Sequence, residues 1–346
     1  MFEIILIPMF ILIIKYGSRF NKYEASYRFI LYTVIGSILM LIGLLIIYNT
    51  NIINIPSSLT SSLSSYSSLS SYSSLSSYNI LPNTLNTINK EYLVLNVGKT
   101  FNIEIVKEIL FSHINRGAIN VGESIEENKL KIILITFLLA FFIKIPLFPF
   151  HSWLPLAHGE ANTRGSIILA ALLLKLGTYG LLRYVIEINK ESVYISNIIM
   201  TLGILGFIYG SLLILRQIDL KRIIAYSSIL HMNLVIISLL TYDYTSLIGS
   251  YLTMIAHSFT STTLFYIVGN LYSKFHTRNL LYYRGLVHTK PLLMSFFFLF
   301  ILSNISFPLT FNFIGEYLML YGIFHYNYLI SLLLIIGVVI STTFNL

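Results

Sequence analysis

Nine apolar stretches, near residues 2–16, 29–48, 130–150, 166–185, 194–215, 223–241, 245–272, 292–324 and 327–344, dominate this 346-residue sequence. A helix needs about 20 consecutive apolar residues to cross roughly 30 Å of hydrocarbon, and most of the stretches reach that length. With 56% hydrophobic and only 10% charged residues and a mean hydropathy of +0.79, the chain lacks the polar surface that a water-soluble globule must present. In lipid every backbone polar group has to be satisfied within the protein, so open sheet edges are excluded. The sequence therefore predicts an all-α membrane protein, a polytopic helix bundle.

Lysine and arginine fall in alternate connections. The connection after the first stretch holds Lys15, Arg19, Lys22 and Arg28, the one after the fifth holds Arg216, Lys221 and Arg222, and the one after the seventh holds Lys274, Arg278, Arg284 and Lys290. Arg183 and Lys190 border an intervening connection, and those near Asp243 and His325 have none. This is the positive-inside pattern, with the basic loops on the cytoplasmic or matrix side and the lipid bilayer as an obligatory partner. Topology accounts for the net charge of +8, so nucleic acid is not an expected partner.

The absence of cysteine removes thiolate-bound iron–sulfur clusters, c-type haem attachment and cysteine zinc sites. No metal site is expected, and no glycine-rich phosphate loop occurs, so the chain is expected to bind no cofactor of its own. Residues 61–78 are three tandem copies of SSLSSY inside a polar region, 50–128. Such a repeat offers too little apolar surface to offset its ordering entropy, and it reads as an extramembrane insertion. Three segments follow: 1–49 with the first two transmembrane helices, 50–128 as the insertion, and 129–346 with seven more helices. Residues 2–14 would give only about 20 Å of helix, short for a span, so the chain reads as beginning within a helix.

Against that apolar background, Lys144, Lys175, His231 and His257 sit near the centres of their segments. Charge at that depth costs at least about 2.5–3.5 kcal/mol, so these groups are expected to face an internal polar path. For each histidine the competing reading is a neutral imidazole bonded to a serine or threonine of a neighbouring helix. For the lysines it is snorkelling, which mid-segment depth disfavours. In FFIKIPLFPFHSWLPLAH (141–158), Pro146 and Pro149 follow Lys144 at once. Proline lacks the backbone donor and clashes with the preceding turn, so the helix should break there. A second break is expected in ISFPLTFNFIGEY, where Pro308 precedes Glu316. Two proline-interrupted segments, each with an ionisable residue, are the sequence sign of a transporter built from repeats.

The stretch IKIPLFPFHSWLPLAHGEANTRGSIILAALLLKLGTYGLLR resembles the signature of the antiporter-like subunits of respiratory complex I, most closely the subunit 4 branch of the mitochondrial NADH:ubiquinone oxidoreductase. FEIILIPMFILI, YRFILYTVIGSILML, RQIDLKRIIAYSSILHMNLV, HSFTSTTLFYIVGNLYSKFHTRNLLYYRGL and FNFIGEYLML continue it in order, over nearly all of 1–49 and 129–346. The resemblance implies a bundle with two broken helices from inverted repeats, and a fragment lacking four helices before it and one after. It implies a subunit that couples quinone reduction elsewhere to proton pumping across the mitochondrial inner membrane. Neighbouring antiporter-like subunits and other complex I membrane subunits would be partners, with NADH, FMN, Fe–S clusters and ubiquinone on other subunits. A proton-transfer axis of Glu3, Lys144, Lys175, His231, His257 and Glu316 is carried over by position. Glu3 and Lys144 would form a coupled pair, because a nearby carboxylate favours a buried ammonium that desolvation disfavours. The chain departs from the family pattern at Asn162, Arg164 and Leu309. Three alternatives stay open: a cation/proton antiporter of the related bacterial family in a plasma membrane, a paralogous complex I subunit, 5 or 2, and an inactive structural fragment.

Overall fold

A computed structural model describes residues 4–17, 21–50, 124–186, 193–283 and 285–345. The helices are α1 (Leu6–Tyr16), α2 (Lys22–Thr50), α3 (Ser124–Lys144), α4 (Trp153–Glu160), α5 (Thr163–Ile186), α6 (Val193–Ile214), α7 (Leu220–Leu239) and α8 (Tyr244–Phe275). The short α9 (Leu286–Thr289) precedes α10 (Pro291–Asn304), α11 (Phe311–Tyr326) and α12 (Tyr328–Asn345). Among the described residues no β-strand occurs, in agreement with the all-α expectation. By length and composition, four helices among the described residues can cross a membrane: Lys22–Ile46, Thr163–Ile186, Ser196–Ile214 and Leu220–Leu239. The chain divides into two units, and the smaller, 41–135, contributes only the last turns of α2 and the first turns of α3 to the described residues. The larger unit is 1–40 with 136–346.

The helix buried along almost its whole length is α7, which is flanked by α4, α6, α8 and α11 and so packs at the centre of the bundle. Large apolar side chains are exposed on the outer helices, among them Ile35 and Ile38 of α2 and Leu332 and Ile336 of α12, as a lipid-facing surface requires.

Glycines set two of the closest helix approaches. A Cβ on Gly249 of α8 would lie 2.7 Å from Met319 N and 2.8 Å from Gly315 O of α11, so the two backbones touch there. On α5, a Cβ on Gly177 would lie 2.7 Å from Ile145 Cγ1 and one on Gly180 would overlap the Phe141 ring. This small-residue face lets the end of α3 lie against α5.

Both interruptions close in the same way. At the first, Ile145 N donates to Phe141 O (2.8 Å) and Leu147 N to Phe142 O (3.0 Å); at the second, Ile305 N donates to Ile301 O (3.0 Å) and Phe307 N to Leu302 O (3.0 Å). The offsets are identical, which puts Lys144 and Asn304 at equivalent positions, each the last residue of its helix. The freed carbonyl of Ile143 accepts the Trp153 indole N–H (3.0 Å) from the start of α4, and Thr310 caps α11 by accepting from Phe313 N (3.3 Å). Pro146 and Pro149 lie in the first interruption and Pro308 in the second.

The basic loops meet at one end. Asp219, before α7, forms an isolated bridge with Asn279, after α8, and a Cβ on Gly17, between α1 and α2, would sit 3.3 Å from Glu160 O. At the opposite end the Tyr326 hydroxyl reaches Asn197 Oδ1 (3.3 Å).

Residues 124–128, placed by sequence in the insertion, are the first residues of α3. Lys144 is the last residue of its helix, at the break expected before Pro146. One sequence expectation needs correction. Lys221 and Arg278, counted as loop charges, are 1% and 2% exposed, because both side chains turn inward to backbone carbonyls. Glu3 and residues 51–123, which hold the SSLSSY repeats, lie outside the described residues.

Candidate functional site

The first interruption presents Lys144, 5% exposed, and a Cβ on Gly177 would stand 3.4 Å from its Cβ. Lys175 is two residues earlier on α5, roughly 200° round the helix from Gly177. The backbone of α5 widens to a π-helix at Leu169–Leu173, which leaves the Ala170 carbonyl free of its usual partner. The Lys175 ammonium donates to that carbonyl at 2.7 Å, so a local backbone irregularity holds the charge within the bundle.

From Lys175 the polar groups continue across α8 and α7. Its ammonium lies within charge-interaction range of both His257 and His158. His257 is fully buried; its Nε2 meets the Ser228 hydroxyl at 3.1 Å, and its ring centroid is 4.8 Å from that of His231. His231 then joins the second interruption twice. Its Nδ1 is 2.8 Å from Glu316 Oε1, and its Nε2 is 3.1 Å from the Asn304 carbonyl.

His231 Nδ1 therefore faces a carboxylate oxygen and Nε2 a backbone carbonyl, so a proton on either ring nitrogen has an acceptor in front of it. Around it Asn304 Nδ2 donates to Ser227 Oγ (3.1 Å), and Asn312 Nδ2 donates to Ser303 O (2.8 Å) and Thr260 Oγ1 (3.4 Å).

Of the residues expected from sequence, Lys175, His257, His231 and Glu316 follow one another in a row to the second interruption, and Lys144 stands at the end of α3 against Gly177. Sequence reasoning missed several groups on it. His158 is fully buried, stacks on Phe265 with centroids 4.4 Å apart, and stands near Lys221 as well as Lys175. Ser227, Ser228 and Asn304 were missed too, although Ser227, Ser228 and His231 are spaced three and four apart on α7, the signature of one helix face. Of the departures from the family pattern, Asn162 caps α5, its side chain accepting from Thr163 N at 2.6 Å. Arg164 is exposed, and Leu309 has φ 78° with its side chain fully exposed.

Over residues 1–85 and 92–342 the chain matches a family described as NADH:quinone oxidoreductase/Mrp antiporter, transmembrane. It is 38% identical over 346 residues to NADH-ubiquinone oxidoreductase chain 4 of Acanthamoeba castellanii, covering 100% of this chain and 57% of that protein. Its identity to the protein of the same name in Arabidopsis thaliana is 38% over 347 residues, covering 100% of this chain and 58% of the other. The chain thus spans little more than half the length of these relatives. Among solved structures, a chain of respiratory complex I from Thermus thermophilus with bound NADH superposes with a TM-score of 0.74 at 23% identity, over 99% of this chain and 61% of that one. A chain of an archaeal membrane-bound sulfane sulfur reductase superposes at 0.75 and 18% identity, over 99% and 59%. At such identities the superpositions establish the fold. Two interrupted helices joined by buried titratable groups, a shared fold and a family match over most of its length together show that this chain belongs to the NADH:quinone oxidoreductase/Mrp antiporter transmembrane family.

Proposed function

We propose that the chain is a proton-translocating membrane subunit of a mitochondrial NADH:ubiquinone oxidoreductase, carrying protons along Lys144, Lys175, His257, His231 and Glu316. Relatives named as chain 4 of that enzyme, 36–38% identical and from several eukaryotes, support the assignment. The observation that carries it is the His231–Glu316 pair, 2.8 Å apart, beside the carbonyl end of one interrupted helix, with His257 and Lys175 continuing from it into the bundle. Fixed donors and acceptors at short range let a proton step between sites with little reorganisation. Like charges in a low-dielectric interior disfavour simultaneous protonation of Lys144 and Lys175, so charging one promotes release from the other. In this reading NADH, FMN, Fe–S clusters and ubiquinone belong to other subunits, and the mitochondrial inner membrane is the location. Glu3 would be the switching partner of Lys144.

The test is Lys144→Met in the whole complex, reconstituted in vesicles, with assembly followed on a native gel. Protons moved per electron pair should fall while the complex still assembles, because an apolar side chain at that depth relieves a solvation cost. Lys144→Arg should fail in part, since guanidinium does not release its proton in a protein. Normal pumping by assembled Lys144→Met overturns the proposal. Pumping that responds to a sodium or potassium gradient rather than to NADH would move the chain to the antiporter side of the family.

A further inference from the structure

The C-terminal end of α4 leaves carbonyls without helical partners, as every helix end does. Here those carbonyls are buried, and two cations from separate parts of the chain take them. Lys221, in the first turn of α7, donates to Ala161 O (2.9 Å) and to Ser166 Oγ (3.4 Å). Arg278, in the connection after α8, donates to Gly159 O, and its guanidinium lies 4.2 Å from the centroid of the Tyr272 ring. Glu160, 3% exposed, lies between Gly159 and Ala161 in sequence. A third cation flanks the helix end: a Cβ on Gly159 would be 3.4 Å from Arg222 Nε.

The two donors are also tied to each other. Leu220 N donates to Arg278 O (3.1 Å) and Leu280 N to Ile218 O (3.2 Å), a two-residue ladder around the Asp219–Asn279 bridge. This ladder joins the backbone beside Lys221 to that of Arg278. Burying two cations is costly unless each finds strong acceptors, and a helix C-terminus with its partial negative charge supplies them.

We propose that Lys221 and Arg278 form a clamp on the end of α4, positioning residues that set where this short helix, and with it His158 and the Lys144 interruption, stands against α7 and α8. The role requires the charge and its hydrogen bonds, not release of a proton from Lys221. It rests on the proton-transfer reading only for its functional consequence.

Three variants test it in the assembled complex: Lys221→Met, Lys221→Arg and Ser166→Ala. The first readout is hydrogen–deuterium exchange of peptides covering 157–166. Lys221→Met should speed exchange there about tenfold, the scale of one hydrogen bond to a charged group. Lys221→Arg should hold it near the parent, and Ser166→Ala should shift it in the same direction as Met by a smaller factor. The second readout is protons per electron pair, which should fall in Lys221→Met and recover in Lys221→Arg. A purely structural defect would lower the amount of complex and leave that ratio unchanged. Parental exchange and ratio in Lys221→Met overturn the clamp. A ratio lost in Lys221→Arg despite parental exchange also overturns it, since it makes Lys221 a proton carrier. If Lys221→Met does not assemble, parental exchange in Ser166→Ala overturns the clamp and faster exchange supports it. Exchange reports on the clamp even if Lys144→Met pumps normally, so failure of the proton-transfer reading is told apart from failure of the clamp.

Discussion

Gly315→Ala is expected to damage both the stability of the chain and the placement of Glu316, through one added methyl. Built on the Gly315 backbone, that Cβ lies 3.0 Å from Thr253 N and 3.1 Å from Gly249 O, and it overlaps Thr253 Oγ1. Ordinary contact begins near 3.4 Å, so α11 must withdraw from α8 by about 0.3–0.4 Å, and the Thr253 hydroxyl must leave its bond to Gly249 O (2.8 Å). Overpacking of this kind costs about 1–3 kcal/mol and the lost hydrogen bond about 1 more, so about 2–4 kcal/mol in all. The next residue is Glu316, and the same displacement stretches its 2.8 Å contact with His231. A control is Gly210→Ala, whose methyl meets only Leu230 side-chain carbons, the nearest at 2.9 Å, and no backbone atom. The assays are heat-induced loss of the assembled complex on native gels and proton translocation in vesicles. Gly315→Ala should be lower in both and Gly210→Ala close to the parent. Equal behaviour of the two variants would refute the argument that backbone contact between α8 and α11 sets the Glu316 position.

Two further substitutions probe the interruptions. Trp153→Phe removes the indole donor to Ile143 O (3.0 Å) and leaves a buried carbonyl unsatisfied, a loss of about 1–3 kcal/mol visible as a lower heat-inactivation midpoint. A midpoint equal to the parent's would mean that another donor takes that carbonyl. Leu309→Gly should raise the midpoint, because a leucine at φ 78° carries about 1–2 kcal/mol of backbone strain that glycine lacks. Glycine's greater freedom in the unfolded chain returns about 0.4–1 kcal/mol of that gain. The side chain is fully exposed, so little packing is lost, and a lowered midpoint would show that Leu309 is held by a contact outside this chain.

The membrane class, the all-helical fold and the positions of most helices were legible in the sequence because lipid imposes one rule on every segment: apolar for about 20 residues, backbone satisfied within it. The interruptions were legible for a local reason too, since Pro146, Pro149 and Pro308 cannot continue a helix. Lys144, Lys175, His231, His257 and Glu316 stood out as ionisable groups where lipid tolerates few. Their partners did not stand out. The pairing of His231 with Glu316 and with the Asn304 carbonyl depends on α7 lying between two helices more than 70 residues further along the chain. The support of Lys175 by Ala170 O depends on a π-turn, which propensity does not encode. The largest error concerned Lys221 and Arg278: charge counting placed them in watery loops, and only the docking of those loops onto the end of α4 turned them inward. Sequence fixes which residues must avoid lipid because that penalty is local. Which polar group each one meets is set by packing between distant segments, and that was decided by the tertiary structure alone.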